Sequence, residues 1–309
     1  QEVKSGLYLM LLQKREENSI SLAATADKGK VIDAPSLEGK VSPKSSIIML
    51  IALVLGIAIP AGILFLREFF KYKIEGHEDV MKLTQIPVIA DIPVASDAAK
   101  KEGKADIVVH QNVNNLMEEI FRGLRTNIQF MLKEGEKVMM FTSSTSGEGK
   151  TFVASNIGIS LASLGKNNIM VGRAIRKPRL AELFEIDNHH NGITNLIVHD
   201  HNTWDDIQKQ ILSSGVNSKL DLLMAGPVPP NPGELVTRAS LDDIISQLKE
   251  HYDYVILDTA PVGLVNDSLQ LGRLANLCVY VCRADYTPKA SFGMINGLNE
   301  EKKLPNMCL

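Results

Sequence analysis

The longest uninterrupted apolar run in the chain, Ser45 to Leu66, contains no charged residue. At about 1.5 Å of rise per residue, a helix of that length crosses a hydrocarbon core of ~30 Å. Gly56, Pro60 and Gly62 within it disfavour helix in water but are tolerated in lipid. The pattern therefore predicts a transmembrane helix over 45–66. Its place well inside the chain excludes a cleaved signal peptide. Upstream, "QEVKSGLYLMLLQKREENSISLA" reads as the last turns of a long helix with no cap before it.

Beyond the span the pattern changes twice. Residues 67–111 read as a linker, with short apolar pieces ("IPVIADIPV") followed by the small and charged "ASDAAKKEGKAD". Apolar positions recur at helical spacing over 112–132, and from Val138 onward strand-like and helix-like segments alternate. Strands are predicted at 138–142, 168–172, 219–224, 253–258 and 276–282, with helices between them such as 151–164 and 239–250. The final "LPNMCL" reads as a strand start. This alternation predicts an α/β domain over 112–309, a parallel sheet with helices on both faces.

Composition narrows the chemistry only slightly. A formal net charge of −3 leaves no basic excess, which argues against nucleic acid as a partner. Lys28, Lys30, Lys40 and Lys44 before the span balance Arg67, Lys71, Lys73 and Lys82 after it, so flanking charge does not orient the helix. Cys278, Cys282 and Cys308 match neither a redox pair nor a zinc site and read as structural thiols in a reducing compartment. His189, His190, His199 and His201 lack paired-ligand spacing and read as surface residues.

The informative chemistry lies in "TSSTSGEGKTF", residues 142–152, between a predicted strand and a predicted helix. A nucleotide triphosphate needs backbone amides aimed at it, a cation beside its outer phosphates and a hydroxyl for the accompanying Mg²⁺. Gly147 and Gly149 permit the tight turn, Lys150 supplies the cation and Thr151 the hydroxyl. Ser146 through Phe152 are the candidate ATP-binding segment, including Glu148. The strict glycine-rich pattern asks for glycine where this chain has Ser144. An acid at the end of a neighbouring strand should complete the metal site, and Asp258 in "YDYVILDTAP" has that placement. Lys150 and Asp258 are thus candidate catalytic residues, and Thr151 and Asp258 candidate Mg²⁺ contacts.

Together with that loop, "IRKPRLAELF" (175–184), "GPVPPNPGEL" (226–235), "ILDTAP" (256–261) and "EIFRGLRTNIQF" (119–130) resemble the bacterial tyrosine autokinases fused to polysaccharide co-polymerases. The resemblance runs from about Leu7 to the end of the chain and takes in the span, Pro35 and Pro43 before it, and "LTQIPVIADIP" after it. It implies a P-loop NTPase-like fold related to partition and division-site ATPases. It also implies that 1–44 is the end of an extracytoplasmic domain, and that 67–309 is cytoplasmic at the bacterial inner membrane. The implied partners are the polysaccharide export machinery, the membrane and other copies of this chain. Copies would assemble as a ring through Glu119, Arg122 and Arg125, each phosphorylating a tyrosine-rich tail of its neighbour. Spacing alone places those three residues on one helix face, where a solvated, salt-bridged surface is the simpler account. The chain's six tyrosines are scattered, so the tail would begin beyond Leu309.

One departure matters. The family's second acidic motif, Asp-x-Asp-x-Arg, aligned on Arg176, puts its acids at Gly172 and Ala174, with Arg173 between them. Arg176 keeps its implied place near the nucleotide and is, by the resemblance, the third candidate catalytic residue. A positioned base is worth ~10² to 10⁴ in rate, so this chain is expected to bind Mg-ATP more weakly than its relatives and to transfer phosphate poorly. Two other readings compete with the kinase. One is a non-catalytic nucleotide-binding scaffold that regulates chain length, and the other is a partition-type ATPase, which has no place for the span.

Overall fold

The computed structural model describes residues 2–24, 42–69, 72–94, 107–109, 115–172, 179–186, 191–227, 232–264 and 267–309. The chain divides into two compact units, Gln1–Phe69 and Phe70–Leu309. Among the described residues the first holds two helices, α1 (Glu2–Ala24) and α2 (Ser45–Phe69). Within α2, Ser45–Leu66 is long and apolar enough to cross a membrane, and none of it is buried against protein. Pro60 is accommodated inside the helix.

The second unit is built on a seven-stranded sheet of order β3-β4-β2-β5-β1-β6-β7. Its strands are β1 (Val138–Ser143), β2 (Asn168–Gly172), β3 (Ile211–Ser213), β4 (Leu220–Leu223), β5 (Tyr254–Asp258), β6 (Leu277–Val281) and β7 (Met307–Cys308). All neighbours run parallel except β3, which pairs antiparallel with β4 at one edge. Strand side chains alternate between faces, and the four central strands are almost entirely buried because helices cover both faces. Val138 and Met140 of β1 join one core with Leu241, Ile244 and Leu248 of the helix Ala239–His251 and with Phe292 and Ile295 of the helix Ser291–Glu300. Met139 and Phe141 join the opposite core. There they meet Phe121, Leu124 and Ile128 of α4 (Leu116–Met131) and Ala154, Ile157 and Leu161 of α5 (Lys150–Ser163).

The five predicted strands and the predicted helices therefore stand where periodicity put them. The helix expected from 112 begins at Leu116, because Asn115 caps it by accepting from the Glu118 amide at 2.7 Å. Residues 112–114 lie outside the described residues.

The segment read as linker differs from that reading in its first half. Residues 72–94 carry the helix α3 (His77–Leu83), and Ile74, Val80 and Ile86 are buried in the first core. Its apolar residues are too few to show a period, yet each finds a place on the sheet's flank. Lys73 pairs with Pro288 in an antiparallel bridge, extended by the Ile74 amide donating to the Thr287 carbonyl and the Asp285 amide to the Ile74 carbonyl. On the other face, buried Ile107–Val109 pack over α5, where the Asn156 side-chain oxygen accepts from the amides of Val108 and Val109.

Candidate functional site

Strand order decides where the chemistry gathers. β5 lies between β1 and β2, so Asp258 at its carboxyl end stands beside the start of the 144–149 loop and opposite Gly172, its register partner. The loop leaves β1 at Ser143 and enters α5 at Lys150 with Gly147 at φ 95° and Gly149 at φ 99°. These are left-handed conformations that side chains disfavour.

The loop's polar groups sort into two sets. One set is engaged by protein: Glu148 is buried, and its carboxylate accepts from the Thr145 amide and the Thr287 hydroxyl. Tyr286 donates to the Ser146 carbonyl and Arg283 to the Gly147 carbonyl. In contrast, the amides of Ser146, Gly147, Glu148 and Gly149 donate to no group among the described residues. Consecutive amides of this kind form a concave nest for an anion, here at the amino end of α5.

Ser144, where the strict pattern has glycine, is buried with its hydroxyl 2.9 Å from the Tyr280 hydroxyl, so the substitution is absorbed behind the loop. Lys150 is also buried, and its Nζ donates to the Ser143 hydroxyl at 2.8 Å and the Thr145 carbonyl at 3.4 Å. Thr151 donates to Asp258 Oδ2 at 2.8 Å. Oδ1 of Asp258 is buried with no hydrogen-bond partner among the described residues.

Burial pushes the Asp258 carboxyl up to about 6, against the opposing pull of the Thr151 hydroxyl and the nearby Lys150 ammonium. A hydroxyl and a half-satisfied buried carboxylate side by side suit a hard, oxygen-seeking divalent cation such as Mg²⁺. The residues present thus fit both groups that the sequence implied, a polyphosphate at the amides and a cation at Thr151 and Asp258.

Not every expected residue points into this site. The Phe152 ring packs edge-on to Phe121 at 5.9 Å, and its carbonyl accepts from Asn156. Arg176, Arg173 and Ala174 lie outside the described residues. On α4, Arg122 pairs with buried Glu118 at 2.7 Å and with exposed Glu119 at 3.4 Å. Arg125 instead turns inward and donates to the carbonyl and hydroxyl of Ser160 on α5. Of the three residues expected at an interface, Glu119 and Arg122 face outward while Arg125 ties α4 to the helix that carries the loop.

Residues that the sequence pattern did not bring to notice are Arg283, Tyr286 and Thr287, some 140 positions from the loop they hold. Their signal is structural: β6 pairs with β1 up to Ser143↔Val281, so the chain leaving β6 emerges next to the chain leaving β1.

Gly263 touches the site from the other side. A Cβ there would lie 2.4 Å from the Ser144 carbonyl oxygen, and the preceding Val262 amide donates to Ser143. Gly263→Ala should therefore push the loop off β5, costing about 1 to 3 kcal/mol as overpacking. Chemical denaturation of the variant beside wild type measures the cost.

The chain is similar to known proteins in sequence and in fold. Residues 1–69 match the family described as a G-rich domain on putative tyrosine kinase. The chain is 32% identical over 202 residues to the putative tyrosine-protein kinase CapB of Staphylococcus aureus, covering 65% of this chain and 86% of that protein. It is 30% identical over 304 residues to a putative tyrosine-protein kinase in the cps region of Klebsiella pneumoniae, covering 93% of this chain but 41% of the relative. The tyrosine-protein kinase etk of Escherichia coli K12 is 28% identical over 300 residues, covering 91% of this chain and 40% of the relative. The chain thus spans about two fifths of those two longer relatives. Among solved structures, the chimerical protein CapA2B2 superposes with a TM-score of 0.64 at 27% identity, covering 76% of this chain and 98% of its own. The kinase domain of Escherichia coli ETK gives 0.61 at 25% identity, covering 72% of this chain and 87% of its own.

Proposed function

Because this chain belongs to the bacterial tyrosine-protein kinases, we propose that it is the membrane-anchored, ATP-dependent module of a polysaccharide co-polymerase. In this reading it phosphorylates tyrosines on a neighbouring copy and thereby regulates capsular or exopolysaccharide assembly and export. The observation that carries the proposal is the row of amides from Ser146 to Gly149 that donate to nothing among the described residues, in a turn that includes left-handed Gly147 and Gly149 and lies beside the Thr151–Asp258 pair.

Each residue has a role that follows from its chemistry. The amides at 146–149 and the Lys150 ammonium would hold the terminal phosphates of ATP, where donors and charge are strongest in a water-poor cleft. The Thr151 hydroxyl and the Asp258 carboxylate would hold Mg²⁺. The bound cation neutralises charge that builds on the transferred phosphoryl group. Lys150 would exchange its hydrogen bonds to Ser143 and Thr145 for the phosphate oxygens. Arg176 is assigned to the nucleotide by the family motif alone.

The apolar helix Ser45–Leu66 supports an inner-membrane location. ATP is found in the cytoplasm, so this reading assigns 67–309 to that side. Glu119 and Arg122, exposed on α4, are the residues proposed for contact with a neighbouring copy, with Arg125 positioning α4 behind them.

A second reading is favoured by one observation. Gly172 ends β2 directly opposite Asp258 and brings no carboxylate to the site, which suits a nucleotide-binding scaffold that regulates chain length without transferring phosphate. A titration of ATP and Mg²⁺ against the detergent-solubilised chain, followed by a search for labelled phosphotyrosine, separates the readings. Binding with phosphotyrosine supports the kinase, and binding without it the scaffold. Lys150→Ala should weaken ATP binding about tenfold to a hundredfold, the worth of its charged contacts. Equal affinity in wild type and Lys150→Ala would remove both readings.

A further inference from the structure

We infer that Arg283 and Tyr286 are positioning residues for the nucleotide: they hold the phosphate loop from behind so that its amides face the phosphates. This rests on reading the 146–149 amides as the nucleotide site.

Each residue in turn along the loop is gripped from the same side. Tyr286 Oη donates to the Ser146 carbonyl at 2.8 Å and Arg283 Nη1 to the Gly147 carbonyl at 3.0 Å. The Thr287 hydroxyl then reaches the Glu148 carboxylate. In a planar trans peptide the C=O and the following N–H point in opposite directions. Fixing the Ser146 oxygen outward therefore aims the Gly147 amide inward, and fixing the Gly147 oxygen does the same for Glu148. Those are two of the four amides that donate to nothing among the described residues. The grip orders the nest in advance, which lowers the entropy that a ligand must otherwise pay on binding.

The gripping segment is itself braced. The Arg283 guanidinium lies 5.5 Å from the Tyr286 ring centroid, so the two donors order one another. The Thr287 side chain accepts from the Arg283 amide, and the amides of Tyr286 and Thr287 donate to the Arg283 carbonyl. Residues 285 and 287 are hydrogen-bonded to Ile74 on the far side. On the near side, a Cβ at Gly147 would sit 3.0 Å from Tyr286 Oη, so the tyrosine is fitted to the bare face of that glycine.

The experiment measures ADP affinity and thermal midpoint on the solubilised chain for wild type, Lys150→Ala, Tyr286→Phe, Arg283→Met and Arg283→Lys. Tyr286→Phe and Arg283→Met should each weaken ADP about threefold to tenfold, with midpoints close to wild type, and Arg283→Lys should recover most of the loss. Affinities unchanged in Tyr286→Phe and Arg283→Met, while Lys150→Ala loses ADP, would overturn the inference and leave the proposed function standing. A loss of affinity that only tracks a fall in midpoint, without recovery in Arg283→Lys, would likewise overturn it. Wild type and Lys150→Ala binding ADP equally would overturn the nucleotide reading and this inference with it.

Discussion

Asp258→Asn should raise the stability of the metal-free protein at pH 7 by up to about 3 kcal/mol, less the cost of burying its amide N–H groups, and at the same time remove most of its response to Mg²⁺. The carboxyl is wholly enclosed, one oxygen is bonded to Thr151, and the other has no partner among the described residues. Burial lifts its pKa from 3.8 to about 6. A raised carboxyl pKa means that the folded chain holds the proton more tightly than the unfolded one. Below about 3.8 both forms are protonated and the group costs nothing. Between about 3.8 and 6 the unfolded chain releases its proton while the folded chain keeps it, so stability falls as pH rises. Above that range the full cost of a buried charge is present, about 3 kcal/mol, because each tenfold gain in proton affinity on folding is worth ~1.36 kcal/mol.

Asparagine has the same shape, still accepts from Thr151, and carries no charge to bury. Denaturation in chelator from acid to neutral pH should therefore show a declining stability for wild type and a flatter profile for the variant. Parallel profiles would refute the assignment of the cost to Asp258. Adding Mg²⁺ to the nucleotide-loaded protein should stabilise wild type further and the variant little, because Asp258 is the anionic ligand that the protein itself offers the cation. A site that costs stability when empty and recovers it on loading marks residues kept for function rather than for the fold.

How much of this was legible beforehand depends on the range of the interaction concerned. The strands starting at 138, 168, 220, 254 and 277 are short, mostly apolar runs buried between the helix layers, and such runs declare themselves without knowledge of their neighbours. The loop from Ser146 to Thr151 is a local device whose glycines, lysine and hydroxyl lie in one stretch of chain, so its motif predicts its geometry. Asp258 needed one further step, the expectation that ligands collect at the carboxyl ends of parallel strands.

What escaped notice depends on register and on fit. Nothing in "CRADYTPK" (282–289) marks Arg283 and Tyr286 as partners of a loop far upstream; they arrive there because β6 pairs with β1. Ile74 and Val80 look like any apolar residues of a linker until the flank of the sheet is present to receive them. Arg125 shares a helix face with Glu119 and Arg122 by spacing, yet its length lets it reach the Ser160 carbonyl, a choice that only the neighbouring helix decides. Three-residue β3 is too short to carry a period at all.

Placing aspartates at 172 and 174 should raise tyrosine phosphorylation by about 10² to 10⁴, the usual worth of a positioned base or acid. Gly172 is the last residue of β2 and the register partner of Asp258, so a carboxylate there enters the same end of the sheet as the Thr151–Asp258 pair. Room for it is nearly present. A Cβ at Gly172 meets the Cδ2 methyl of Leu180 at 2.8 Å, the far end of a side chain that can turn to another rotamer. Ala174 lies outside the described residues, and its assignment rests on the alignment of Arg176 with the family's motif. Tyrosine's hydroxyl, with a pKa near ~10, is a poor nucleophile at neutral pH, and an adjacent carboxylate helps it lose its proton as phosphate is transferred. Gly172→Asp, Ala174→Asp and the double variant should be compared with wild type for ATP affinity and for transfer to a tyrosine-rich peptide. A rise in transfer that exceeds the gain in affinity would identify the absence of acids at 172 and 174 as what limits phosphate transfer. Unchanged transfer in a double variant that folds and binds ATP would mean that the defect lies elsewhere, and would favour the scaffold.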